Sequence, residues 1–126
     1  MRGKVKTMSS TTTYRMGRVV VVEVPFSDLS ATKRRPALIV SSEVHHRRLP
    51  DIIVCPISSR SRYFDRPGPG DQPLRQWKNA GLHYPSTARA SKVIAVDKRI
   101  VGRTLGKVSD DDLRRVEDTL RKVFAL

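Results

Sequence analysis

Lys33-Arg34-Arg35-Pro36-Ala37-Leu38-Ile39-Val40-Ser41-Ser42 is the stretch on which the reading of this chain turns. Three cations stand before a proline, and a short apolar run ends in two serines. Pro36 has no N–H and holds the residue before it extended. Arg35 is therefore expected at the mouth of a strand, and Ala37 to Val40 reads as that strand, buried. A guanidinium at the entrance of a rigid strand suits a phosphate, which it can meet with two parallel N–H donors. The same ten residues equally describe an ordinary strand with a solvated basic flank.

Outward from that stretch, strand patterns dominate. Arg18 to Val24 is a β-branched run and reads as the first strand. Phe26 to Thr32 reads as a loop, with Ser27 and Asp28 as turn formers. Glu43 to Pro50 is polar and fits a short helical turn, which would leave His45 and His46 exposed. Asp51 to Ile57 is a third strand, and Pro56 within it predicts an edge or a bulge. Ser58 to Ala80 reads as one long loop holding Pro67-Gly68-Pro69-Gly70 and four arginines. Short strands follow near Thr87 to Ala90, Val93 to Val96 and Gly102 to Val108. Ser109 is a good N-cap for a last helix, and Asp110, Asp111 and Asp112 suit the positive end of its dipole. Leu113, Val116, Leu120, Val123 and Phe124 share one helical face that would cover the sheet. Five or six short strands and one terminal helix predict a small barrel closed by that helix.

The chain has 126 residues, enough for one domain with a modest core. Runs such as Val19 to Val22 and Ile52 to Cys55 are too short to span a bilayer, so no membrane partner is expected. No secretory segment follows the N-terminus. A single cysteine, Cys55, excludes an internal disulfide framework and reads as a small buried hydrophobe. These features favour a reducing cytoplasm. Lys and Arg number 25 against 12 acids, a net charge of +13, and the last 18 residues hold 4 of those bases and 5 of the acids. The excess therefore lies outside the final helix and points to a polyanionic partner, nucleic acid or an acidic protein. Residues 1–15 are basic, rich in hydroxyls and free of any apolar stripe, so they read as a flexible arm. The globular pattern starts at Gly17, which leaves Met8 and Met16 as alternative starts.

No P-loop, GxGxxG, HExxH or CxxC pattern occurs. Carboxylates pair only in the helix cap, which disfavours glycosidase and two-metal chemistry. His83, beside Pro85 and Ser86 and before a strand, is the best histidine for proton transfer. What remains is arginine with hydroxyls: Arg35, Ser58 and Ser59, then Arg89 and Ser91. Such donors suit a phosphodiester whose charge rises in the transition state. RNA brings its own nucleophile, the 2′-hydroxyl, so a metal-free nuclease has only to align it, stabilise the phosphorane and manage two protons.

Five segments repeat a known order. Gly17 to Val24 and the loop after it lead to the Arg-Pro-Ala-Leu-Val-type strand Arg35-Pro36-Ala37-Leu38-Ile39-Val40-Ser41. Val54-Cys55-Pro56-Ile57-Ser58-Ser59 ends a strand in a Val-x-Pro-Ile-Thr-Ser manner. Gly81 to Ser86 is a Gly-Leu-x-x-Pro-Ser segment, and Val96-Asp97-Lys98-Arg99 an Ile-Asp-Lys-Arg-like step. Gly102 to Ser109 looks like Gly-Arg-x-Leu-Gly-x-Leu-Ser before a helix. Together, over residues 16–126, they resemble the MazF/PemK-like toxins of bacterial toxin–antitoxin systems. The resemblance implies a mainly β fold, a small SH3-like barrel of about five to seven strands closed by a C-terminal helix, as in MazF, CcdB and Kid. It implies a homodimer of the bacterial cytoplasm that cleaves single-stranded RNA sequence-specifically with no metal or cofactor. It also implies an antitoxin with an acidic, flexible tail as partner. The family's catalytic arginine falls on Arg35 and its catalytic threonine on Ser58, beside Ser59. An arginine that serves one branch as acid or phosphate ligand falls on Arg89; that branch's aspartate base falls on Ser91, which cannot do the job. Lys33, Arg34, His83, Ser86, Ser91 and Lys92 complete the expected substrate contacts. Two alternatives stand beside this reading. One is a toxin of the same fold that traps DNA gyrase, although the chain ends Lys122-Val123-Phe124-Ala125-Leu126 and not in Trp-Gly-Ile. The other is an RNA-binding module without cleavage.

Overall fold

The computed structural model describes residues 14–25 and 32–126. The basic arm, except Tyr14 and Arg15, and the loop expected from Phe26, except Thr32, lie outside the described residues. Strand β1, Arg18–Pro25, carries four consecutive valines. Val19 is buried in one apolar cluster, and Val20 and Val22 are buried in another. A run that is apolar on both faces is what a strand covered on both sides needs. Strand β2, Thr32–Ile39, runs antiparallel to β1 from Val19 opposite Leu38 to Pro25 opposite Thr32. β2 thus starts well before the proline, and Arg35 lies within it, opposite Val22, not at its mouth. The partner β1 keeps the chain extended past Pro36, which the sequence pattern alone did not reveal.

Helix α1, Glu43–Arg48, is the expected short turn, with the Ser42 hydroxyl accepting from the His45 N–H. His45 is half-buried and His46 is buried, against the expectation that both are exposed. Strand β3, Asp51–Ser58, is central rather than at an edge. One side of it pairs with β2, from Ile39 opposite Val54 to Ala37 opposite Pro56. The other side pairs first with β6, Ile94–Asp97, and then with β5, Thr87–Arg89. The β6 pairing ends at Val54 and the β5 pairing begins at Ile57, so Pro56 falls where the partner changes. A residue without an N–H is tolerated there because that part of the ladder is already interrupted.

The expected long loop is structured. It holds helix α2, Ser61–Asp65, and strand β4, Asp71–Pro73, which extends the sheet beyond β5. Strand β7, Val101–Lys107, pairs with the other side of β1. The hydrogen-bonded path runs β4-β5-β3-β2-β1-β7, with β6 attached to β3. It has two ends among the described strands, where closure was expected. Helix α3, Asp110–Phe124, packs Val116, Leu113 and Leu120 on the cluster of Val19, Leu38, Cys55, Ile57 and Leu74. Val123 and Phe124, expected on that face, are exposed near the end of the helix. Cys55 is buried, and burial pushes its thiol up to about 12.

Candidate functional site

The site begins where two strands part. Pairing of β2 with β3 stops at Ala37 and Pro56, yet both chains continue. A cleft of about 230 Å³ opens there, walled by Arg35 and Pro36 of β2, Ile57 and Ser59, and Arg103 and Leu105 of β7. The segment Gly81 to Ser86 forms its remaining wall. That segment is held against β7 by a close backbone crossing. A Cβ on Gly81 would stand 2.1 Å from the Leu105 carbonyl oxygen, and Gly81 has φ +84°. Only glycine fits both the approach and the left-handed backbone. The Leu74 N–H donates to the Ser86 carbonyl, and the buried Ser86 hydroxyl donates to the Tyr84 carbonyl at 2.7 Å. Ser86 therefore shapes the turn, which leaves His83 and Tyr84 exposed on the rim.

Alternation along β3 divides the expected residues. Ile57 pairs with Ala88, and both belong to the cluster beneath α3. Ser58 pairs with Thr87 and so faces the opposite side. Its hydroxyl accepts from the Arg60 N–H at 3.2 Å. Ser59 returns to the Ile57 side and lines the cleft. The structure thus brings Arg35, Ser59, His83 and Ser86 together, and leaves Ser58, Arg89, Ser91 and Lys92 off the cleft wall.

Arg89 belongs to a different arrangement. Its Nε donates to Asp71 Oδ1 at 2.5 Å, and its guanidinium carbon lies 3.7 Å from the centre of the Tyr63 ring. The Asp71 carboxylate is 5% exposed and lies on β4 directly opposite Arg89. Ser91 and Lys92 are exposed in the 3₁₀ turn after β5. Ser91 packs on Gly70, where an added Cβ would come within 2.8 Å of the Ser91 Cβ. Asp71 therefore supplies the carboxylate beside Arg89 that Ser91 does not. Sequence reasoning missed Asp71, and the one hint was its place just after the Pro67 to Gly70 turn.

The cleft is cationic beyond its own walls. Val21 and Arg103 also line a second hollow of about 310 Å³, together with Arg34 and Arg99. Arg34 stands 3.9 Å from Glu23, and Arg99 donates to Asp97 in a close local pair. Lys33 and Arg34 are exposed on β2. Among the described residues, no three His, Cys, Asp or Glu side chains converge as a metal ion would require. No helix of the described residues is long and apolar enough to cross a membrane.

An antiparallel sheet of this order, backed by one C-terminal helix, is a fold found in solved bacterial toxins. The MazE–MazF complex from Deinococcus radiodurans aligns with a TM-score of 0.72 at 20% identity, over 90% of this chain and 97% of that one. The Mycobacterium tuberculosis toxin MazF-mt6 aligns at 0.69 and 21%, over 86% and 97%. An endoribonuclease in complex with its cognate antitoxin from a mycobacterial species aligns at 0.70 and 17%, over 90% and 95%. A comparison with curated protein sequences finds no match. The model of the PemK-like, MazF-like toxins of type II toxin–antitoxin systems matches residues 15–124, and the chain belongs to that family.

Proposed function

We propose that this toxin is a metal-independent endoribonuclease acting on single-stranded RNA in the bacterial cytoplasm. The observation that carries the reading is the cleft at the parting of β2 and β3, lined by Arg35, Ser59 and His83, which shares Val21 and Arg103 with the hollow of Arg34 and Arg99. The RNA 2′-hydroxyl attacks phosphorus, a 2′,3′-cyclic phosphate forms, and the 5′-oxygen leaves with a proton. Arg35 stabilises the charge that gathers on the phosphorane. Ser59 adds a hydroxyl donor, with Ser58 next to it in the chain, and His83 is the ring that moves protons. Lys33 and Arg34 hold the flanking phosphates. Arg89, locked between Asp71 and Tyr63, stiffens the adjoining sheet and does not touch RNA. As in the relatives solved with an antitoxin, the partner is an antitoxin, here acidic enough to meet a net charge of +13. Its binding weakens with salt.

An RNA-binding module without cleavage is the competing reading, favoured by the engagement of Arg89 and by Ser91. Cleavage of a long single-stranded RNA in EDTA separates the two. Activity is expected, with 2′,3′-cyclic phosphate and 5′-hydroxyl ends. Arg35→Ala should lower the rate about 100-fold or more, as loss of a transition-state donor does, and Arg35→Lys should recover little because a single ammonium is not a planar fork. A folded Arg35→Ala protein that cleaves at the wild-type rate would refute the assignment. Products with 5′-phosphates would refute the mechanism.

A further inference from the structure

We propose that a hollow beside the cleft binds one RNA base and that Asp65 reads that base's amino edge, with guanine preferred and uracil rejected. This rests on the reading of the cleft as an RNA site. The hollow, about 480 Å³, lies between α2 and the turn before β5. Ser61, Phe64 and Asp65 line it on one side, Tyr84 and Pro85 on the other, and Ser59 joins them. Ser59 and Tyr84 also line the cleft, so the two spaces adjoin. A strand whose phosphate sits by Arg35 can drop a neighbouring base into the hollow.

Two observations define what enters. The first is Tyr84, an aromatic ring that is 67% exposed and lines the hollow with Pro85 and Phe64. Unstacked bases of single-stranded RNA are held on such faces. The second is the charge of Asp65. Seven acids among the described residues stand within 4 Å of an Arg or His. Four described acids, Asp65, Asp110, Asp112 and Glu117, have no such neighbour among the described residues, and of these Asp65 lines the hollow. A carboxylate beside a phosphate path repels the backbone, so its favourable contact there is an N–H donor on a base. Guanine offers N1–H and N2–H side by side, matching the two carboxylate oxygens. Adenine and cytosine offer one amino group. Uracil offers N3–H between two carbonyls, which a carboxylate repels.

The test is binding of 2′-O-methyl RNA, which lacks the nucleophile. Uridine decamers carrying one central guanine, or none, are titrated into the wild-type toxin by fluorescence anisotropy. The guanine oligomer should bind about tenfold more tightly, within the range of one bidentate base contact. Asp65→Asn should erase that ratio, Asp65→Glu should keep part of it, and Tyr84→Ala should weaken both oligomers. Equal affinities in the wild type, or a ratio unchanged in Asp65→Asn, would overturn the proposal. Cleavage of RNA without base discrimination sinks the base pocket alone. Discrimination without cleavage of ordinary RNA sinks the ribonuclease reading and leaves the pocket. Concentration-dependent amide protection of residues 61–65 and 84–86 without RNA would make the hollow an interface between copies and end the proposal.

Discussion

Ser41 and His46 form a buried polar pair that no catalytic role explains. The Ser41 hydroxyl accepts the Ile53 N–H at 3.0 Å and meets His46 Nε2 at 2.6 Å. The Ser41 oxygen has two acceptor lone pairs and one proton, so it partners Nε2 in either tautomer of the ring while still accepting from Ile53. Burial lowers the His46 pKa from 6.5; the Tyr14 backbone opposes this, while His45 and Lys98 add to it. Glu43 pulls upward more weakly. A histidine whose folded pKa lies below its unfolded value takes up its proton first in the unfolded chain. Its contribution is therefore intact above about 6.5 and is lost as pH falls below that value. Melting temperatures at pH 7.5 and pH 5 should show the loss, and His46→Gln should be less stable at neutral pH but less sensitive to acid. An unchanged acid sensitivity in His46→Gln would assign the loss to other groups. Nothing in Glu43 to Pro50 announces this burial, because α1 offers the core a single polar ring and no apolar stripe.

At the scale of elements, the three aspartates in the first turn of α3 divide their work. The Asp112 N–H donates to the Ser109 hydroxyl, which is the expected cap. The Asp112 carboxylate turns inward, is almost wholly buried, and accepts the N–H groups of Arg75 and Gln76 at 3.0 and 2.9 Å. It thereby ties the segment after β4 to the helix, and that segment leads to the turn bearing His83. Asp112→Ala should cost about 3 kcal/mol in chemical denaturation, for two charge-assisted hydrogen bonds lost at a buried site. It should also slow RNA cleavage by loosening the cleft wall. Asp110→Ala, a control at an exposed first-turn position, should cost less than about 1 kcal/mol. A loss at Asp112 no larger than at Asp110 would contradict the tie. Strands β1, β2, β3 and β7 and helix α3 were legible because each carries its own local signal: β-branched runs, or a cap with an apolar face. Helix α2 and strand β4 were not, since their support is the distant pairing of Asp71 with Arg89 and the stack on Tyr63. The split between Ser58 and Ser59 was also hidden, because a period of two names a face only when the register is known.

At the scale of the molecule, the charge excess and the family point the same way. Family membership motivates a homodimer, and static light scattering at micromolar concentration should give twice the chain mass; a clean monomer would count against it. Residues 1–13 carry three cations and no acid. Their removal should leave thermal stability unchanged and lower the salt sensitivity of RNA binding, since fewer counterions are released. A large fall in melting temperature would instead make the arm structural. The lone thiol of Cys55 has a different use. With its pKa pushed up to about 12 and its side chain sealed beneath α3, it is chemically silent at neutral pH while the core is intact. A thiol-reactive dye can then label only molecules whose core has opened. Cys55 lies next to the proline where β3 changes partners, so the labelling rate becomes a built-in clock for breathing of the strand on which the cleft is hung.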